Sequence, residues 1–235
     1  MNHIDTGKLY GNNDMVKVGC HDCMGCSSCC RDMGQSIWLD PYDVYHMTQR
    51  LGKAFEELLS KEVEFHVEDG LILPNIRMVA DVQETAGASM GEGEPRCSFL
   101  NEEGRCSIHQ YRPGFCRLFP LGRHYDGDKL SYFLLEDACF VQNKTKMKVN
   151  KWLNIPRIKD YERFLIEWHS LTKGLRCFYE ENADNEAVMK AINMQFLQIF
   201  YLTPYGEEDF YVQFDERMAR MQEFMHQLGV VTISK

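Results

Sequence analysis

The sequence predicts an α+β chain in which an irregular, cysteine-rich region with short β-hairpins is followed by a C-terminal helical subdomain. Three observations carry that expectation. Nine of the ten cysteines stand before residue 140. The same stretch alternates apolar with polar residues around Asp-Gly and Asn-rich turn signals, the period-two signature of hairpins. Beyond it, apolar residues recur every three or four positions over long spans, as on the buried face of a helix. The chain changes character near 143–151, which divides it into a cysteine-cluster region, 1–142, and a helical subdomain, 143–235, packed on it.

Taken in order, Asp40-Pro41 is an N-cap followed by a proline suited to the first helical turn, so a helix is expected through about Leu51, with Gly52 as its punctuation. Ala54 to Ser60 reads as a second, short helix. Val63, Phe65 and Val67 alternate with charged residues, and Asp69-Gly70 then separates them from Leu71, Ile72 and Leu73, which predicts a hairpin. The Gly-, Ala- and Glu-rich stretch 85–94 predicts a loop. Cys97 to Leu100 and Arg105 to Ile108, joined by Asn101-Glu-Glu-Gly104, predict a second hairpin that brings two thiols together. Tyr125 to Leu135, centred on Asp126-Gly127-Asp128, predicts a third.

In the last third, Tyr161, Phe164, Leu165, Trp168, Leu171, Leu175 and Phe178 share one helix face, as do Phe210, Phe214, Met218, Met221, Met225 and Leu228. Ala187 to Leu202 is apolar on more than one face and is expected to be a buried central helix. Cys177 is expected to be a small buried hydrophobe on the first of these helices.

Composition narrows the function. A net charge of −9 in 235 residues gives no global attraction to nucleic acid or anionic lipid. No apolar run approaches the ~18 residues of a membrane span. The acidic, Asn-containing opening does not resemble a secretory signal, so a cytoplasmic location is expected. In that compartment ten cysteines point to metal rather than to a disulfide scaffold.

The spacing of the thiols carries the chemistry. Cys23-Met-Gly-Cys26-Ser-Ser-Cys29-Cys30 places four thiols within one or two backbone turns, with Cys20 a further step upstream. Two cysteines two residues apart can direct their sulfurs at one metal, which is why C-x-x-C is a half-site of zinc and iron-sulfur centres. Cys97, Cys106, Cys116 and Cys139 form a second set of four. Eight thiolates can hold two four-ligand centres, or one cluster with a mononuclear ion. Tandem C-x-x-C steps favour an iron-sulfur cluster of the 4Fe–4S type, with zinc as the alternative. Between Arg96 and His124 five arginines face two glutamates, a balance of +3 that would offset thiolate charge. Arg112 and Arg117, flanking Cys116, are the candidate hydrogen-bond donors to sulfur.

Cys23-x-x-Cys26-x-x-Cys29-Cys30, followed by Cys97-x-Phe-Leu, Gly104-Arg-Cys106-x-Ile, Arg112-Pro113-x-x-Cys116-Arg117-x-Phe-Pro120 and Cys139, resembles the YkgJ-type cysteine cluster family, the CxxCxxCC domains described as zinc- or iron-chelating. The resemblance spans about Cys23 to Cys139 and implies metal binding through those eight cysteines. Cys20 is an additional thiol. His109 stands where an aromatic is expected, either as a recruited ligand or as a half-buried ring, and His21 beside Cys20 is similarly open. A flagellin lysine N-methylase carries a similar cluster, so metal-dependent methyl transfer from S-adenosylmethionine is the alternative that resemblance implies. The chain has no glycine-rich nucleotide loop and no C-x3-C-x2-C run to support it. A redox protein, needing an exposed cluster, is a third reading. Metal ions are the expected partners; the sequence identifies no protein partner or substrate.

Overall fold

The computed structural model describes residues 7–19, 27–81, 93–139 and 141–230. Mixed helices and small antiparallel sheets make the fold α+β. Strands β1 (Leu9–Tyr10) and β2 (Met15–Gly19) come first. Helix α1 (Pro41–Leu51) follows. Its cap is reciprocal: the Asp40 carboxylate accepts from Asp43 N–H at 2.9 Å, and the Asp43 carboxylate accepts from Asp40 N–H at 3.2 Å. Gly52 closes the helix in the left-handed region, φ 62°. Helix α2 (Phe55–Leu59) is entered through Ala54 N–H, which donates to the Glu57 side chain at 2.7 Å.

Strands β3 (Val63–Glu68) and β4 (Leu71–Ile76) form the first expected hairpin. Its two loop residues, Asp69 and Gly70, have φ of 48° and 81°, the left-handed pair that matches strand twist. The hairpin is docked on the helices by Asn193, which accepts from Ile72 N–H at 2.9 Å and donates to the Gly70 carbonyl at 2.8 Å. Val63 is buried, whereas Phe65 and Val67 on the same face are exposed.

Strands β5 (Met78–Asp81) and β6 (Gly93–Cys97) pair, so Gly93 and Glu94 are strand where a loop was expected. The rest of that expected loop, apart from these two residues, lies outside the described residues. The second expected hairpin is reduced to one bridge, Leu100 with Cys106, across the Asn101–Gly104 turn. Cys97 ladders with Met78 instead, and Leu100 N–H then bonds back to the Cys97 carbonyl at 2.9 Å, which bends the chain out of the strand.

Helix α3 (Gly114–Leu118) precedes strands β7 (Leu121–Asp126) and β8 (Lys129–Leu134). These form the third expected hairpin, beginning earlier than the turn signal implied, and β1 completes a sheet of order β1-β8-β7. Strand β9 (Thr145–Lys148) pairs with β2 and runs into α4 (Val149–Leu153).

Helices α5 (Ile158–Glu181), α6 (Glu186–Leu197) and α7 (Phe210–Gln227) complete the chain. The predicted stripes face inward on α5 and α7, with Tyr161, Phe164 and Phe214 fully buried, although Leu228 falls past the end of α7 and is exposed. Two expectations are corrected. Helix α6 is not buried all round: Met194 is 63% exposed, and burial is concentrated at Ile192, Asn193 and Phe196 before a π-helical segment, Gln198–Leu202, inserts Ile199, Phe200 and Tyr201. Cys177 is exposed, because its position after Leu175 turns it away from the buried stripe. One hydrophobic core runs from Val16 to Val230 through both parts of the chain.

A buried polar contact joins α1, α3, β7 and α5. Gly114 N–H donates to Asp43 Oδ1 at 2.6 Å, and Arg123 donates to Tyr161 Oη at 2.9 Å beside it. Burial, reinforced by Asp40, holds the Asp43 carboxyl well above the usual carboxylate range. A Cβ at position 114 would sit 2.4 Å from Tyr161 Oη and 3.0 Å from Arg123 Nη2, so only glycine fits. Gly114→Ala is therefore expected to cost about 1–3 kcal/mol, the usual range for overpacking a core. Urea unfolding measures it, and an unchanged midpoint would contradict the tight contact.

Candidate metal centre

Six cysteines from separate parts of the chain open on one cavity of about 230 Å³: Cys29, Cys30, Cys97, Cys106, Cys116 and Cys139. Each is placed by its own local structure. Cys29 and Cys30 lie in a single 3-10 turn closed by Cys30 N–H to the Ser27 carbonyl at 2.8 Å. The next residue, Arg31, bridges to Arg96, and Asp32 N–H donates to the Pro95 carbonyl at 2.8 Å. That pairing brings Cys30 alongside Cys97 at the end of β6. The Leu100–Cys106 bridge turns Cys106 back toward it. Cys116 comes from α3, held against α1 by Asp43. The Cys139 carbonyl accepts from Lys144 Nζ at 2.6 Å.

All of these described cysteines are free thiols. Among the described residues, no three His, Cys, Asp or Glu side chains stand close enough to share one ion. Cys20, His21, Cys23 and Cys26 lie outside the described residues. Much of the cavity wall is apolar, including Ile37, Ile76, Phe99 and Trp152.

The electrostatics of the thiols set their chemistry. A hydrogen bond with Cys30 pulls Cys29 down to about 7, and the same contact, with burial, drives Cys30 up. Burial pushes Cys97 up to about 11, with the Cys106 and Cys29 charges adding to it. Burial and the charges of Cys97 and Cys106 raise Cys116 far above the ordinary thiol range. Burial also raises Cys106, against which the Arg112 charge acts. These sulfurs therefore resist ionising together unless a cation shares the cavity. A donor set dominated by sulfur, with the His109 ring on the same wall, fits zinc or iron better than a hard cation that prefers oxygen.

Residues 22–152, more than half of the chain, match the CxxCxxCC family, a domain proposed to chelate zinc or iron. The chain belongs to that family. No curated protein and no solved structure matches it. The CxxCxxCC match reaches beyond Cys139, over the segment in which β9 pairs with β2 and Trp152 of α4 lines the thiol cavity, its indole N–H donating to the Leu118 carbonyl at 3.3 Å. Sequence spacing gave no signal for Trp152.

The two arginines singled out in the sequence occupy different places. Arg112 lines the thiol cavity, and its Nη1 bonds the His109 ring at 2.5 Å and the His109 carbonyl at 3.1 Å. His109 itself is half-buried on the cavity wall. Arg117 donates to the carbonyls of Arg112, at 2.9 Å, and Gln110, at 2.5 Å, and lines a neighbouring cavity of about 200 Å³. Tyr42, His46 and Arg50 of α1, none of them singled out by the sequence, form part of that second cavity. Arg123, the last of the basic stretch, is taken up by Tyr161 in the buried contact under α3.

His46 has its ring 4.2 Å from that of Tyr42. Burial, then the charges of Arg117 and Arg50, depress it from 6.5 to about 4. The sign follows from proton uptake. Between those two values the unfolded chain binds a proton that the folded imidazole refuses, so stability falls as pH drops from about 6.5 toward 4. His46→Gln is expected to flatten the pH dependence of urea unfolding in that window. An unchanged slope would contradict the depressed value.

Proposed function

We propose that the protein is a metal-binding protein that holds an iron-sulfur cluster of the 4Fe–4S type, or zinc in its place, through Cys23, Cys26, Cys29, Cys30, Cys97, Cys106, Cys116 and Cys139. The observation that carries this reading is the convergence of six of those thiols on one apolar cavity. The metal, when bound, would neutralise thiolates that otherwise raise one another's pKa, and an iron-sulfur cluster would add one-electron chemistry. Arg112 is the proposed hydrogen-bond donor to sulfur. Arg117, bonded to the Arg112 carbonyl, positions the segment that presents it. A reducing cytoplasm is the proposed setting, since it keeps such thiols available to metal. Among the described residues no helix is long and apolar enough to cross a membrane.

Anaerobic purification followed by iron, zinc and acid-labile sulfide analysis tests the reading. Cys116→Ser is expected to lose bound metal, and Cys177→Ser, altered on the exposed face of α5, to keep it. Arg112→Ala is expected to weaken metal retention roughly 10–100-fold against a chelator, as the loss of a partner to a metal ligand commonly does. Iron and sulfide together identify a cluster, and zinc without sulfide identifies the alternative. Metal-free wild-type protein from metal-replete cells would overturn both.

The proposed division at 142/143 makes the metal a folding element of the first part. The cavity is built on two-stranded sheets and helices of 5 residues, whereas α5 has 24 residues and α7 has 18, with aromatic faces in the core. Short elements of this kind gain most from a bound metal. After chelation, limited proteolysis is expected to cut within 27–139 before it cuts α5 or α7. Equal resistance of both parts would contradict a structural role for the metal.

A further inference from the structure

The second cavity is not used by the metal reading, and its charge is distinctive. Three guanidinium groups, from Arg50, Arg112 and Arg117, share a space of about 200 Å³ with Tyr42, His46 and Gln110. None of the three arginines forms an ion pair among the described residues. Three arginines with no ion pair among the described residues repel one another around one small space, and an anion entering it would relieve that repulsion. The sole carboxyl group at the wall, Asp43, has both oxygens occupied, Oδ1 by Gly114 N–H and Oδ2 by Asp40 N–H.

The local structure fixes two of the three guanidiniums beside the cavity. Arg117 is held through Nε and Nη2 on the carbonyls of Arg112 and Gln110, and among the described residues its Nη1 has no hydrogen-bond partner. Among the described residues Arg112 bonds through Nη1 alone, to the ring and carbonyl of His109. Arg50 stands exposed at the end of α1 with no side-chain hydrogen bond among the described residues. Planar, multi-donor groups arranged in this way match the oxygens of a carboxylate or phosphate. The volume is below the ~300 Å³ at which pockets for drug-sized ligands begin, which favours a small ligand over a nucleotide or a polymer.

We propose that this cavity binds a small oxyanion, a carboxylate or phosphate group on a low-molecular-weight ligand, beside the metal centre. Arg112 lines both cavities, which places that ligand next to the thiols. The inference stands on the arginines and does not depend on which metal the protein holds.

Calorimetric titration of the full-length, metal-loaded protein with inorganic phosphate and, separately, with malonate tests it. Saturable binding of at least one of the two, with a Kd of about 1 mM or tighter, is expected, and the pair separates phosphate from carboxylate preference. Removing Arg117 also cuts the bonds that hold the 110–112 segment, so Arg50 is the cleaner site. Arg50→Gln is expected to weaken binding about 10-fold with melting temperature and metal content unchanged, and Arg50→Lys to restore part of it, since a point charge remains without the fork. Failure of the wild-type protein to bind either anion saturably, or equal binding by Arg50→Gln, would overturn the proposal. Either result leaves the metal content, and so the metal reading, to its own test.

Discussion

The hydrogen bond from Gly114 N–H to the buried Asp43 carboxyl is the contact on which the arrangement of this protein depends. It crosses 71 residues of sequence and fixes the short helix carrying Cys116 against the first long helix. The space around it admits no side chain at position 114, because Tyr161 and Arg123 fill it. A buried polar group of this kind is expensive to leave unpaired, so breaking it at one end penalises the other. The Asp40 cap, the Asp43 carboxyl and the Gly114 amide thus form a chain of mutual satisfaction that sets where α1 and α3 meet.

Both cavities follow from that meeting. On one side of α3 the thiols gather, and burial with the charge of neighbouring sulfurs raises Cys97 and Cys116. On the other side α1 contributes His46 and Arg50, and the 110–117 segment contributes its arginines. Arg112 belongs to both. Positive charge is therefore concentrated where thiolates and a small anion would need it, within an acidic chain. The helical part supplies rigidity by a different route. Trp168 stacks on Phe196 at 5.3 Å, and Phe164 meets Phe214 edge-on at 4.7 Å, in a core continuous with the strands of the first part.

Local signals were read well from sequence where the physics is local. The Asp40-Pro41 start and Gly52 stop of α1 rest on backbone groups within a few residues. The Asp69-Gly70 turn needs only two left-handed residues between apolar runs. The α5 stripe is an expression of helical period. Even the CxxCxxCC pattern is largely a matter of spacing, and it was sufficient to place the chain in its family.

What spacing could not reach was every feature produced by distant pairing. Cys97 left its expected hairpin because Met78 offered a longer ladder. Trp152 entered the thiol cavity because β9 pairs with β2 across more than a hundred residues. Cys177 turned outward and Met194 stayed exposed because only the packed bundle decides which side of a helix has a neighbour. Arg112 and Arg117, indistinguishable as flanks of Cys116, were told apart by the packing around α3, which leaves Arg112 lining both cavities and Arg117 lining the second, held on the carbonyls of Arg112 and Gln110. By itself the sequence determined the fold class, α1, α2, the β3–β4 hairpin, the α5 and α7 stripes, the thiol inventory and the family, since these depend on neighbours in the chain. The tertiary structure decided which thiols share a space and which arginines line one cavity, since burial and charge act between atoms that folding alone makes adjacent.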